Sequence, residues 1–134
     1  MQVPQNTVIA VADGEKLSLF QNEGNALNVK LKAIPFDEID SSKISSGGRH
    51  SSSAANPNDS QQEEDGFGSG ITGMLNRQVL DGTIKNLVII AAPRTLGEMR
   101  KGYHKQLSAV LVGELDKDLT GHSVQDIEKA LEAA

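Results

Sequence analysis

The chain has 134 residues, with 13 basic side chains against 18 acidic ones and a net charge of −5. That length fits one domain of ordinary size, and the acidic balance argues against a surface built to grip nucleic acid phosphates. There is no cysteine or tryptophan and aromatics make up 3%. This excludes disulfides, thiolate metal sites, a cysteine nucleophile and an aromatic base-stacking platform. No apolar run approaches the ~18 residues that span a bilayer, so no membrane insertion is expected. The N-terminal residues 1–6 have no basic-then-apolar leader pattern, so the expected compartment is the cytoplasm.

Thr7-Val-Ile-Ala-Val-Ala12 reads as a buried strand, being short, apolar and rich in β-branched residues. Asp13-Gly14 predicts a two-residue hairpin turn, and Lys16–Phe20 alternates as a half-buried strand does. Gln21–Asn25 is a second turn signal. Ala26–Ile34 alternates again, with Leu27, Val29 and Leu31 on one face, until Pro35 ends the strand. The first third is therefore expected to be a three-stranded antiparallel meander.

From Asp40 to Gly70 the sequence turns to Ser, Gly, Asn, Asp, Gln and Glu, with Ile44 and Phe67 its only sizeable apolar residues. Such a segment buries too little surface to offset an ordering entropy of roughly 1–2 kcal/mol per residue. It reads as a disordered loop at 40–70 within a single domain spanning 1–134.

Helical spacing resumes with Ile71, Met74, Leu75 and Val79, and Asp81-Gly82 is a stop signal. Leu87–Ala92 is the most apolar run and predicts a central strand covered on both faces. Thr95-Leu-Gly-Glu98 has the form of a capping box opening a helix through Leu96, Met99 and Tyr103. Ala109–Leu115 predicts a last strand, and Ser123-Val-Gln-Asp126 caps a final helix. The order β-β-β, loop, α-β-α-β-α implies right-handed parallel crossovers. The expected fold class is α/β, with three helices and a five-stranded mixed sheet in the order 3-2-1-4-5, the ribonuclease H-like topology.

Several residues have a chemical and a structural reading. Asp13, Asp81, Asp116 and Asp118 are the carboxylates available to a two-metal nuclease, yet Asp13 is explained by the hairpin and Asp81 by helix termination. His50, His104 and His122 share no metal-ligand spacing, so no metal and no cofactor is expected. Arg94, Thr95, Lys117, Asp118 and Thr120 follow the ends of the last two strands, where open α/β sheets place their crevice. Arg94 with the start of the helix at Thr95 suits an anion. The structural alternative makes Thr95 a cap and pairs Arg94 with an aspartate of 116–120. Arg100, Lys101, His104 and Lys105 form a basic cluster on one helix, either a solvated face or a contact for RNA or an acidic partner.

Val11-Ala-Asp-Gly14, Leu19-Phe-Gln-Asn-Glu-Gly24, Ile89-Ile-Ala-Ala-Pro-Arg-Thr-Leu-Gly97 and Glu114-Leu-Asp-Lys-Asp-Leu-Thr120 together resemble the bacterial host-attachment protein family. That family is described by an attachment phenotype. It is similar in turn to the middle domain of archaeal and eukaryotic class-one translation release factors, in which a loop tip of Gly-Gly-Gln positions water for peptidyl-tRNA hydrolysis. Gly47-Gly48-Arg49-His50 falls at the corresponding place. With arginine third, the side chain on which hydrolysis depends is missing, although Gly-Gly-Arg still offers amides and a guanidinium to phosphate.

The resemblance implies a non-enzymatic accessory protein of host-attachment type, associated with RNA, the ribosome or tRNA. The alternative is a hydrolase acting on nucleic acid or peptidyl-tRNA through the loop. DNA sequence recognition is not expected. A homodimer through an edge strand is a further expectation, with Lys30 and Lys32 opposing it at the first edge.

Overall fold

A computed structural model of the protein describes residues 1–39 and 59–134. Its elements in chain order are β1 (Val8–Ala12), β2 (Leu17–Asn22), β3 (Leu31–Ile34), α1 (Asp59–Leu80), β4 (Leu87–Ala91), α2 (Pro93–Arg100), α3 (Lys105–Val110), β5 (Leu111–Leu115) and α4 (Val124–Ala133). The strands form one sheet in the order β3-β2-β1-β4-β5. β2 runs antiparallel to both β1 and β3, and β4 lies parallel between β1 and β5. This is the small α/β domain expected from the alternation of apolar runs, with ribonuclease H-like strand order.

Strand alternation divides the core in two. Val8, Ala10, Ala12, Leu87, Ile89 and Ala91 face Ile71, Met74 and Leu75 of α1, Leu96 and Met99 of α2 and Leu107 of α3. Ile9, Val11, Phe20, Val88 and Ile90 face Ile127 and Leu131 of α4, with Val3 and Val29 filling in beside them. β1 and β4 are buried along their whole length, as central strands covered on both sides must be. The alanines at 10, 12 and 91 keep the three-helix face shallow.

Four sequence expectations are corrected. Residues 59–70, expected within the loop, are the first half of α1. Glycine inside a helix costs about 1 kcal/mol relative to alanine, and this stretch carries Gly66, Gly68 and Gly70. Packing reverses that preference. Gly68 is buried against α2, where a Cβ would stand in ordinary contact 3.6 Å from Thr95 Cγ2 and 3.7 Å from Met99 Cγ, and Phe67 packs on the core. The remainder of the expected loop, 40–58, lies outside the described residues.

The third strand is shorter than its alternation suggests. The Asn25 side chain accepts from the amides of Leu27 and Asn28, each at 2.9 Å. Buried Asn22 accepts from Gly24 and Lys30 and donates to the Val3 carbonyl at 3.0 Å. These side-chain bonds outcompete the ladder and leave Leu27 80% exposed.

The β1–β2 connection is a four-residue loop rather than a two-residue turn. Asp13 N–H donates to the Lys16 carbonyl at 3.0 Å, and Asp13 Oδ1 accepts from the amides of Glu15 and Lys16 at 2.7 and 2.6 Å. The side chain, not a left-handed backbone at Gly14, closes it.

Residues 105–110 form α3, a fourth helix among the described residues, where only the onset of a strand was expected. The His104 Nδ1 accepts from the Gln106 amide and caps it.

The expected helix stop is as predicted: Gly82 has φ 86°, and Asp81 Oδ1 accepts from the Thr83 amide at 2.8 Å. Ser123 caps α4 through the Asp126 amide. No helix among the described residues is long and apolar enough to cross a membrane.

Candidate functional site

Because β1, β4 and β5 are parallel, their carboxyl ends open on the same edge of the sheet, where ligand crevices form in such folds. Three expected residues meet there. Thr120 Oγ1 lies 2.7 Å from Asp13 Oδ2 and 2.6 Å from Asp118 Oδ1. A hydroxyl owns one proton, so it serves one carboxylate fully and leaves the other in need of a donor. Asp118 also accepts from the Thr120 amide at 3.2 Å, which holds the turn together locally.

Burial alone pushes the Asp13 carboxyl up. The Glu15 amide, the Thr120 hydroxyl and the Lys16 amide outweigh burial and hold it below the ordinary aspartate value. Asp13 therefore stays ionised at neutral pH and ties the β1–β2 loop to the segment after β5, 107 residues further along the chain.

The other expected residues are placed differently. Thr95 is not a cap: α2 begins two residues earlier, at Pro93, with Ala92 as an N-cap that makes no side-chain bond. Proline at the first helical position supplies the right φ and loses no hydrogen bond, so the helix starts at Pro93 and Thr95 turns into the α1–α2 contact, 7% exposed. Arg94 pairs with Asp65 of α1 at 3.7 Å, not with an aspartate of 116–120, and its side chain is 68% exposed. Lys117 is exposed and makes no ion pair among the described residues. Asp81 is at the far end of α1 from Asp13. Among the described residues, no group of three or more His, Asp or Glu side chains is arranged to hold a metal ion. Gly47, Gly48, Arg49 and His50 lie outside the described residues.

Two contributors escaped the sequence reading because residues 59–70 read as loop. Glu64 of α1 lies against Gly14, where any Cβ would collide with its side chain, and Asp65 takes Arg94. The run Glu63-Glu64-Asp65 near a helix start is the usable signal, since carboxylates favour the positive end of the helix dipole. Asp13, Asp118, Glu64 and Asp65 are thus carboxylates on this side of the sheet, with Lys16, Arg94 and Lys117 as its cations.

A second cluster had no sequence signal. Glu114 of β5 accepts from Arg100 Nε and Nη2 at 3.0 and 2.8 Å through Oε1, and from the Tyr103 hydroxyl at 2.6 Å through Oε2. Burial and then the Glu114 carboxylate push the Tyr103 phenol above its ordinary value.

Residues 6–131 match the model of bacterial archaeo-eukaryotic release factor family 12. The chain belongs to that family. The match covers all five strands and nearly all of α4, so the expected similarity to release factors extends over the domain. Comparison with curated proteins finds no match.

Proposed function

We propose that this protein is a non-enzymatic accessory factor that associates with ribosomes or tRNA and presents Gly47-Gly48-Arg49-His50 to RNA. The observation that carries the reading is the family match over residues 6–131, with that tetrapeptide standing between β3 and α1 in chain order. Arg49 takes the place of the glutamine that would orient a hydrolytic water. A guanidinium orients phosphate instead, through bidentate charge-assisted hydrogen bonds. An influence on host attachment would then be an indirect consequence of acting in translation within the cytoplasm.

Co-sedimentation with ribosomes at physiological salt tests the association. Recovery of the wild-type protein in the ribosomal pellet, reduced by Arg49→Ala, is the expected result. Failure of the wild-type protein to pellet with ribosomes or to retain tRNA removes the reading. Release of peptide from peptidyl-tRNA by the purified protein would overturn its non-enzymatic part and favour the hydrolase.

A further inference from the structure

The net charge of −5 hides a separation. α1 starts at the carboxyl ends of the parallel strands, where Glu64 meets Gly14, and delivers the chain to the amino end of β4. Its 22 residues span about 33 Å at 1.5 Å each. α2 leaves the end of β4, and the chain returns through α3 to the start of β5. The second half of α1, the α2–α3 turn and the entry to β4 therefore share the opposite end of the molecule.

Printed on that end are Arg77, Lys85, Lys101, His104 and Lys105, all exposed. Among the described residues the carboxylates near them are Asp81, Glu98 and Glu114, the last engaged by Arg100 and Tyr103. Glu98 is engaged by Lys101 at 2.9 Å, and Asp81 accepts from Thr83. Arg77, Lys85 and Lys105 have no ion pair among the described residues. Asp13, Glu15, Glu63, Glu64 and Asp118 lie toward the other end, with Lys16, Arg94 and Lys117 as the cations there.

The basic end is also held rigidly. Asn76 of α1 donates to the Gly102 carbonyl and accepts from the His104 amide, both at 2.9 Å. The Thr72 hydroxyl is within 3.2 Å of the Met99 carbonyl. The Ile84 amide donates to Gln78 at 3.0 Å, which fixes Lys85 beside the end of α1. Cations held on a preformed frame lose little further freedom on binding.

We propose that this end docks on the phosphate backbone of RNA. Among the described residues this is the end where cations outnumber carboxylates, and a polyanion is drawn to such a local positive field even on an acidic protein. The contact is sequence-independent and salt-sensitive, as phosphate contacts are. This rests on the ribosome or tRNA association proposed above and names the surface that makes it.

The test measures binding of ribosomes and of protein-free ribosomal RNA across a salt series. Arg77→Glu and Lys105→Glu are compared with Lys16→Glu, an equal charge change at the acidic end. The expected result is about tenfold weaker binding for each of the first two, with a salt slope reduced by about one phosphate contact, and little change for Lys16→Glu. Equal melting temperatures show that the variants are folded. If wild-type protein binds and all three variants behave alike, the docking surface is wrong and the ribosome reading survives. Binding to ribosomes without binding to bare RNA points to an acidic protein partner and overturns the RNA assignment. No binding by the wild-type protein removes both.

Discussion

Glu114 and Thr120 each gather two partners, but only at Glu114 do donors match acceptors. Its two oxygens receive Arg100 and Tyr103 separately, on a side chain 19% exposed. At Thr120 a single hydroxyl proton stands between the carboxylates of Asp13 and Asp118. The first arrangement is closed and fastens edge strand β5 to the end of α2. The second shares one hydroxyl proton between two carboxylates that also accept backbone amides, and it lies on an open edge within reach of solvent. The contrast separates a clasp in which each acceptor has its own donor from a junction in which two acceptors share one.

Glu114→Ala breaks the clasp most directly. It strands the half-buried Tyr103 hydroxyl and frees Arg100, with an expected loss of about 2–3 kcal/mol read from denaturant unfolding. An unchanged midpoint would show that the clasp contributes nothing.

Tyr103 supplies a pH test, because it is the only tyrosine and tryptophan is absent. Folding raises its pKa, so its stabilising effect is complete below the unfolded value of about 10 and is lost as pH rises above it. Tyrosinate absorbance is expected to appear only together with alkaline unfolding, not in the native protein near pH 10. A simple titration at the ordinary value with the fold intact would contradict the geometry.

At the junction, Thr120→Val removes the shared donor. It is expected to cost about 1 kcal/mol and to raise the Asp13 pKa, followed by carboxyl-carbon NMR. Asp13 has its folded pKa lowered. The stability it contributes is therefore present above the unfolded value and disappears as pH falls through the folded one.

Asp118→Asn removes one of the two competing carboxylates and lets Thr120 donate wholly to Asp13. Stability is expected to hold or to rise by about 0.5 kcal/mol, and a clear drop would show that the mismatch is not real. Smallest of all is Arg94→Ala. Its partner is 3.7 Å away and its own side chain mostly in solvent, so the change is expected below about 0.5 kcal/mol.

Some of this architecture is written locally. The apolar runs at 7–12 and 87–92, Asp81-Gly82 and Ser123–Asp126 each carry their signal within a few residues. Strand order then follows from the handedness of crossovers, and Asp13, Asp118 and Thr120 were legible as residues after strand ends. What escaped depends on partners far along the chain. The first half of α1 is polar and glycine-rich, so its own preferences oppose a helix, and what offsets them is packing against α2 and the core, where Gly68 lies against Thr95 and Met99 and Phe67 joins the cluster. The apparent cap at Thr95 gave way to Pro93, and Glu114 met Tyr103 and Arg100 only once β5 lay beside α2. Periodicity and capping are local physics and survive in the sequence. Burial, close approach and the sharing of a proton between distant side chains exist only when the elements are packed, which is why the tertiary structure alone decided the chemistry of both ends of the sheet.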